Sequence, residues 1–199
     1  MSEEHFERAP LGDRFSDALR YASELHALQP RKGTKIPYVA HLLAVAALIL
    51  EYGGDEDLAI AGLLHDAVED QGGAATLKEI RRRYGERVAQ IVNACSDTDT
   101  VPKPPWRQRK ERHIAEIAHA EPEVRLVYAA DKVHNARAIL RDVRRDGDAV
   151  WSRFKGGKDG TLWYYERLVQ ALKGPGDNPL IGELEEVVTE LKRAAAPAM

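Results

Sequence analysis

Residues 58–73 read LAIAGLLHDAVEDQGG. Seven apolar or small residues, Leu58 to Leu64, run into His65, Asp66, Glu69 and Asp70. On a continuous helix His65 and Glu69 stand at i and i+4, and so do Asp66 and Asp70, so the four share one side. Like charges at that spacing repel, and isolated carboxylates in an apolar setting are strongly disfavoured. The stretch therefore faces solvent or has a positive partner. A divalent cation is one such partner, because His and carboxylates are ordinary ligands for Mn, Fe or Zn.

Helical periodicity extends in both directions from this point. Phe15, Ala18, Leu19, Ala22 and Leu25 mark a helix within 11–28. The loop QPRKGTKIP follows, and residues 38–52 form a second helix that is apolar nearly all round. Gly53-Gly54 ends it, and Asp55 reads as the N-cap of the third. Thr76 to Glu79 has the pattern of a capping box. Gly85 breaks that helix, and residues 87–95 continue. SDTDTVPKPPW reads as a loop, 107–119 as a charged helix, and Pro122 opens a long helix. RRDGD and FKGGKDG read as turns, with the last helices at 162–172 and 180–191. The expectation is an all-α protein, a compact multi-helix bundle forming a single domain over 1–199.

Composition narrows the class. The chain has 199 residues, 44% of them apolar, a net charge of -3 and one cysteine, Cys95. That length can bury a core without disulfides, and a Cys-rich metal site is excluded. The near-neutral charge and the lack of a basic stripe argue against nucleic-acid binding. No run is long enough to span a bilayer, and MSEEHFERAP lacks a leader's pattern. A cytoplasmic protein without membrane partners is expected; homo-oligomerisation is open.

Two further segments carry chemistry. VYAADKVHNARAIL sets Asp131, His134 and Asn135 one turn apart in an apolar helix, and His41 sits inside YVAHLLAVAALIL. A lone His on such a face is usually a satisfied core residue. Three apolar helices that each carry metal-capable groups point instead to a site.

The order His41, His65-Asp66, Asp131 resembles the H…HD…D signature of HD-superfamily phosphohydrolases. More narrowly, LQPRKGTKIPYVAHLLAVA, AGLLHDAVED and ADKVHNARAIL resemble the hydrolase domain of RelA/SpoT-type alarmone enzymes, over about 15–145, with residues 146–199 completing the bundle. Leu28, Leu42 and Gln71 replace the family's Gly, Pro and Thr, and the loop from Arg31 to His41 is one residue longer. The resemblance implies an HD-domain bundle with a mononuclear Mn(II) site held by His41, His65, Asp66 and Asp131. It implies that Glu69 and Asp70 handle the attacking water, and that Arg31, Lys32 and Asn135 contact the nucleotide. The implied activity is release of the 3′-pyrophosphate from guanosine tetra- or pentaphosphate by a standalone small alarmone hydrolase. Another HD phosphohydrolase, acting on a deoxynucleotide, a nucleoside triphosphate or NADPH, would use the same ligands. A non-catalytic nucleotide sensor ranks below both, since no ligand or acid is missing.

Phosphate chemistry needs cations that the acidic cluster lacks. Arg31, Lys32 and Lys35 supply them on one loop. Lys103, Arg107, Arg109 and Lys110 are further sources, although the last three read as a solvated helix face. Trp106, Tyr128, Trp163 and Tyr164 read as core or interface aromatics, His26 as structural, and Cys95 as a small core filler. His5, His113 and His119 are expected to be exposed.

Overall fold

The computed structural model describes residues 11–96, 104–174 and 178–196. Ten α-helices form among them: α1 (Asp13–Leu25), α2 (Val39–Glu51), α3 (Glu56–Leu64), α4 (Ala67–Asp70), α5 (Gly73–Tyr84), α6 (Glu86–Cys95), α7 (Trp106–Ala118), α8 (Pro122–Asp146), α9 (Gly157–Leu172) and α10 (Pro179–Ala195). A 3-10 turn, Gly147–Arg153, joins α8 to α9. Among the described residues there is no strand, only an isolated bridge between Pro30 and Pro37. No described helix is long and apolar enough to cross a membrane.

The two greasiest segments make the centre. Every residue of α3 from Leu58 to Leu64 is buried, and α2 buries His41, Leu42, Val45, Ala46, Leu48 and Ile49. Each large side chain so buried contributes about 1.5–3 kcal/mol. Gly62 lets the two helices close: a Cβ there would stand 2.4 Å from Ile49 Cδ1. Asp55 caps α3 by accepting from the Leu58 N–H at 3.0 Å, worth about 1 kcal/mol. The acids of that first turn also anchor neighbours. Arg14 pairs with Asp57 at 2.8 Å, and Arg87 bridges Asp55 at 2.7 Å and Glu123 at 2.6 Å. The long α8, with Pro122 in its first turn, crosses this centre and packs on α2, α3, α6 and α10.

Local departures from the sequence expectations have physical causes. The helix that begins at Asp55 does not continue through Asp70. It stops at Leu64, and one turn restarts at Ala67. His65 and Asp66 therefore occupy a break, not a helix face. Helix α5 starts at Gly73, before Thr76; that hydroxyl donates to the Gln71 carbonyl at 2.6 Å, inside the first turn. FKGGKDG is helical from Gly157.

His113 is buried, its ring 4.7 Å from that of Tyr128. Arg109 and Lys110 are half-buried and line a cavity, contrary to the solvated-face reading. Trp106, Arg109, Lys110, His113 and Ile117 form one stripe at helical spacing, and α7 packs along α9. Arg107 is exposed, pairs with Glu111 at 2.8 Å and lies over the Trp163 ring. Tyr128 and Tyr164 are buried with their hydroxyls 2.5 Å apart. His119 is exposed; His5 and Lys103 lie outside the described residues.

Candidate metal centre

The break after α3 creates the first half of the site. A helix end leaves its last carbonyls without amide partners. His65 folds back so that Nδ1 lies 2.8 Å from the Gly62 carbonyl. That oxygen can only accept, so Nδ1 carries the hydrogen and Nε2 presents a lone pair. His65 Nε2 stands 3.0 Å from Asp66 Oδ2 and 3.7 Å from Asp131 Oδ1. Helix α2 brings His41 Nε2 to 3.2 Å from Asp131 Oδ1 and 3.8 Å from Asp66 Oδ2. Ligand atoms of His41, His65 and Asp66 all lie within 4.8 Å of one another.

Both Nε2 atoms are buried and make no hydrogen bond. A buried polar group left so costs about 1–3 kcal/mol. Two imidazole nitrogens grouped with the Asp66 carboxylate, and Asp131 Oδ1 within 3.7 Å of both nitrogens although outside that group of three, fit a divalent transition ion. The electrostatics agree. Burial opposes charge on Asp131, yet Lys132, His41 and His65 hold its carboxyl well below the usual range. Burial likewise works against positive charge on His65, but Asp66 and Asp131 outweigh it and push its pKa up, the same carboxylate pull that would draw a metal ion to Nε2. Burial dominates at His41 and lowers it. Asp66 and Asp131 thus draw positive charge toward His65 and His41, which suits a cation.

Surrounding groups fix the carboxylates. The Tyr38 hydroxyl donates to Asp66 Oδ2 at 2.5 Å. Lys132 Nζ donates to Asp131 Oδ2 at 2.5 Å, and Asn135 Nδ2 donates to Asp131 Oδ1. Arg31 Nη2 donates to Asn135 Oδ1 at 2.7 Å, so the basic loop is tied to the centre through Asn135. That loop is shaped by two backbone bonds: Arg31 N–H to the Ile36 carbonyl at 2.7 Å, and Tyr38 N–H to the Gln29 carbonyl at 2.8 Å. Gly33 turns it at φ +72°, where its missing Cβ leaves room for the Arg153 side chain. His26 is structural in its contacts: its ring stacks on Tyr38 at 5.0 Å, and Nδ1 lies 2.8 Å from Gln29 Oε1.

The two proposed water-handling acids diverge. Glu69 borders a cavity of about 310 Å³ with Lys32, Arg109, Lys110 and Trp106. Asp70 instead accepts from Gln29 Nε2 at 2.7 Å. Burial, opposed by that bond and reinforced by Asp66 and Glu69, pushes its carboxyl up. A second cavity of about 310 Å³ holds Arg31, Asn135, Arg141 and Arg153. Lys32, Ile139, Phe154 and Tyr165 line both, so the two meet at Lys32. Lys35 is exposed and lines neither of these cavities. Sequence reasoning gave no role to Tyr38, Gln29 or Lys132. The PY of the loop and the Lys beside Asp131 were visible as letters, but their partners lie on other helices.

Comparison with known proteins gives a consistent answer. The HD-domain family profile matches residues 18–162. A Mus musculus protein named guanosine-3′,5′-bis(diphosphate) 3′-pyrophosphohydrolase MESH1 is 32% identical over 179 residues, covering 88% of this chain and 90% of that one. An Aquifex aeolicus guanosine-3′,5′-bis(diphosphate) 3′-pyrophosphohydrolase is 34% identical over 130 residues, 64% of this chain and 18% of that longer one. Among solved structures, a metazoan SpoT ortholog described as hydrolysing ppGpp superposes with a TM-score of 0.75. It is 26% identical, and the match covers 93% of this chain and 98% of that one. A Listeria monocytogenes EGD-e protein superposes with a TM-score of 0.65 at 31% identity, covering 78% and 98%. By sequence and by fold, this chain belongs to the HD-domain family.

Proposed function

We propose that this chain is a metal-dependent guanosine 3′,5′-bis(diphosphate) 3′-pyrophosphohydrolase, with His41, His65, Asp66 and Asp131 as metal ligands and Mn(II) as the ion. The observation that carries the reading is the meeting of two unpartnered, buried imidazole nitrogens with two carboxylates beside basic cavities. The relatives' names supply the substrate. The helices after residue 145 complete the same domain in this account, since α10 packs on the α8 that carries Asp131.

The chain's own residues divide the work. A bound divalent ion would supply Lewis-acid activation of a water and a phosphoryl oxygen. Glu69 borders the cavity and acts as general base toward the attacking water. Asp70, tethered by Gln29, orients that water from the other side of the turn. Arg31 is already ordered by Asn135 and lies 5.8 Å from the Tyr38 ring centre, so its planar guanidinium can engage phosphate or base. Lys32, Arg109 and Lys110 offset the negative charge of the phosphates in the cavity that Glu69 shares.

A nucleotide panel with manganese-loaded protein tests this. Release of pyrophosphate from guanosine tetraphosphate, leaving a 3′-hydroxyl, is expected. Orthophosphate release from NADPH or from nucleoside triphosphates, with guanosine tetraphosphate untouched, would overturn the substrate assignment.

A further inference from the structure

The two histidines of the centre are held differently. His65 Nδ1 faces a backbone carbonyl, which accepts only, so its tautomer is fixed by the fold. His41 Nδ1 instead lies 2.7 Å from Nδ1 of His134, with the ring centres 4.8 Å apart and the planes tilted by 33°. Two imidazole nitrogens at that distance share one hydrogen. Either can donate, so this contact alone leaves two tautomers open to His41.

With the hydrogen on His134 Nδ1, His41 carries its own hydrogen on Nε2 and points it at Asp131 Oδ1, 3.2 Å away. With the hydrogen on His41 Nδ1, the Nε2 lone pair faces the centre. Only the second form can ligate a metal. It requires His134 to accept at Nδ1 and therefore to hold its own hydrogen on Nε2. His134 sits one helical turn after Asp131 on α8, so the residue that supplies a carboxylate to the centre and the one that orients a facing imidazole are placed by the same helix.

We propose that His134 is a positioning residue that accepts the Nδ1–H of His41 when the Nε2 lone pair faces an ion, and so holds that ring in its metal-competent form. This inference rests on the metal-dependent reading above. Loss of the group that orients a ligating imidazole typically weakens metal binding by about 10–100-fold. An amide oxygen can accept from Nδ1–H as well as an imidazole can, so His134→Gln keeps the function that His134→Leu removes.

The test is calorimetric titration of manganese into wild type, His134→Leu and His134→Gln, with circular dichroism melts confirming the fold of each. We expect binding to wild type, affinity lower by about 10–100-fold in His134→Leu, and recovery to within about threefold in His134→Gln. At saturating manganese the nucleotide KM of His134→Leu should stay near that of wild type. Unchanged manganese affinity in a folded His134→Leu, or a raised KM as its only defect, would overturn the inference and make His134 a substrate contact or a bystander. Wild type that bound no manganese would overturn the metal reading itself, and this inference with it.

Discussion

His41 Nε2 and Asp131 Oδ1 stand 3.2 Å apart, one on α2 and the other on α8, at a point where both are buried. Neither helix carries the pairing in its own sequence. It arises because α8 packs across α2, and the break between α3 and α4 adds His65 and Asp66 to the same point.

Glu69 borders the cavity and is not among the four proposed ligands. Glu69→Gln keeps the shape and removes the base. Turnover is expected to fall by about 10²–10⁴-fold, with metal content unchanged by elemental analysis. Near-normal turnover would remove Glu69 from the chemistry.

Gly156 and Gly160 make room for Trp106, whose indole helps line that cavity. A Cβ at Gly156 would stand 2.6 Å from Trp106 Cη2, and a ring cannot bend away as an alkyl tip can. Gly156→Ala should cost about 1–3 kcal/mol, read by urea unfolding, and raise the KM for the nucleotide. Wild-type values for both would mean that Trp106 does not shape the cavity.

Cys95 packs against the core at the end of α6. Burial, with Asp131 reinforcing it, pushes its thiol up to about 12. Although the residue is only half-buried, at pH 8 the thiol should be protonated and slow to react. Alkylation of the native protein should be slow and should become fast in denaturant; rapid native labelling would contradict the packing.

Acid should loosen the surface network. Arg82 and then Arg83 hold Glu79 at about 2, and Arg145 holds Asp146 at about 2, both below the usual carboxylate values of 4.5 and 3.8. Groups depressed in the fold stabilise it above their unfolded pKa and lose that contribution as pH falls through the folded one. Melting temperature should therefore drop between about pH 4.5 and pH 2. Because these pairs are exposed, the part of the drop that they cause should shrink in high salt. An acid transition independent of salt would assign it to buried groups instead.

Much of this was legible in the sequence. Helices α2, α3 and α8 announce themselves by apolar runs, by the Asp55 cap and by Pro122. The candidate site residues were nameable because three motifs stood in order along the chain. What could not be read depends on the fold. The apolar spacing across residues 58–70 gives no warning of the break at His65, because a helix end and a helix interior can share that spacing. Charge hid the inward stripe of α7, in which Arg109, Lys110 and His113 alternate with Trp106 and Ile117. Tyr38 with Asp66, Gln29 with Asp70, and His41 with His134 pair residues distant in the chain.

On this reading His41, His65, Asp66 and Asp131 together bind one transition ion. Elemental analysis of wild type and Asp131→Ala, each checked for helicity by circular dichroism, tests it most directly. About one ion per wild-type chain is expected and none in the folded Asp131→Ala variant, with activity lost alongside it. Full hydrolytic activity in metal-free wild type, or full metal content in Asp131→Ala, would contradict it.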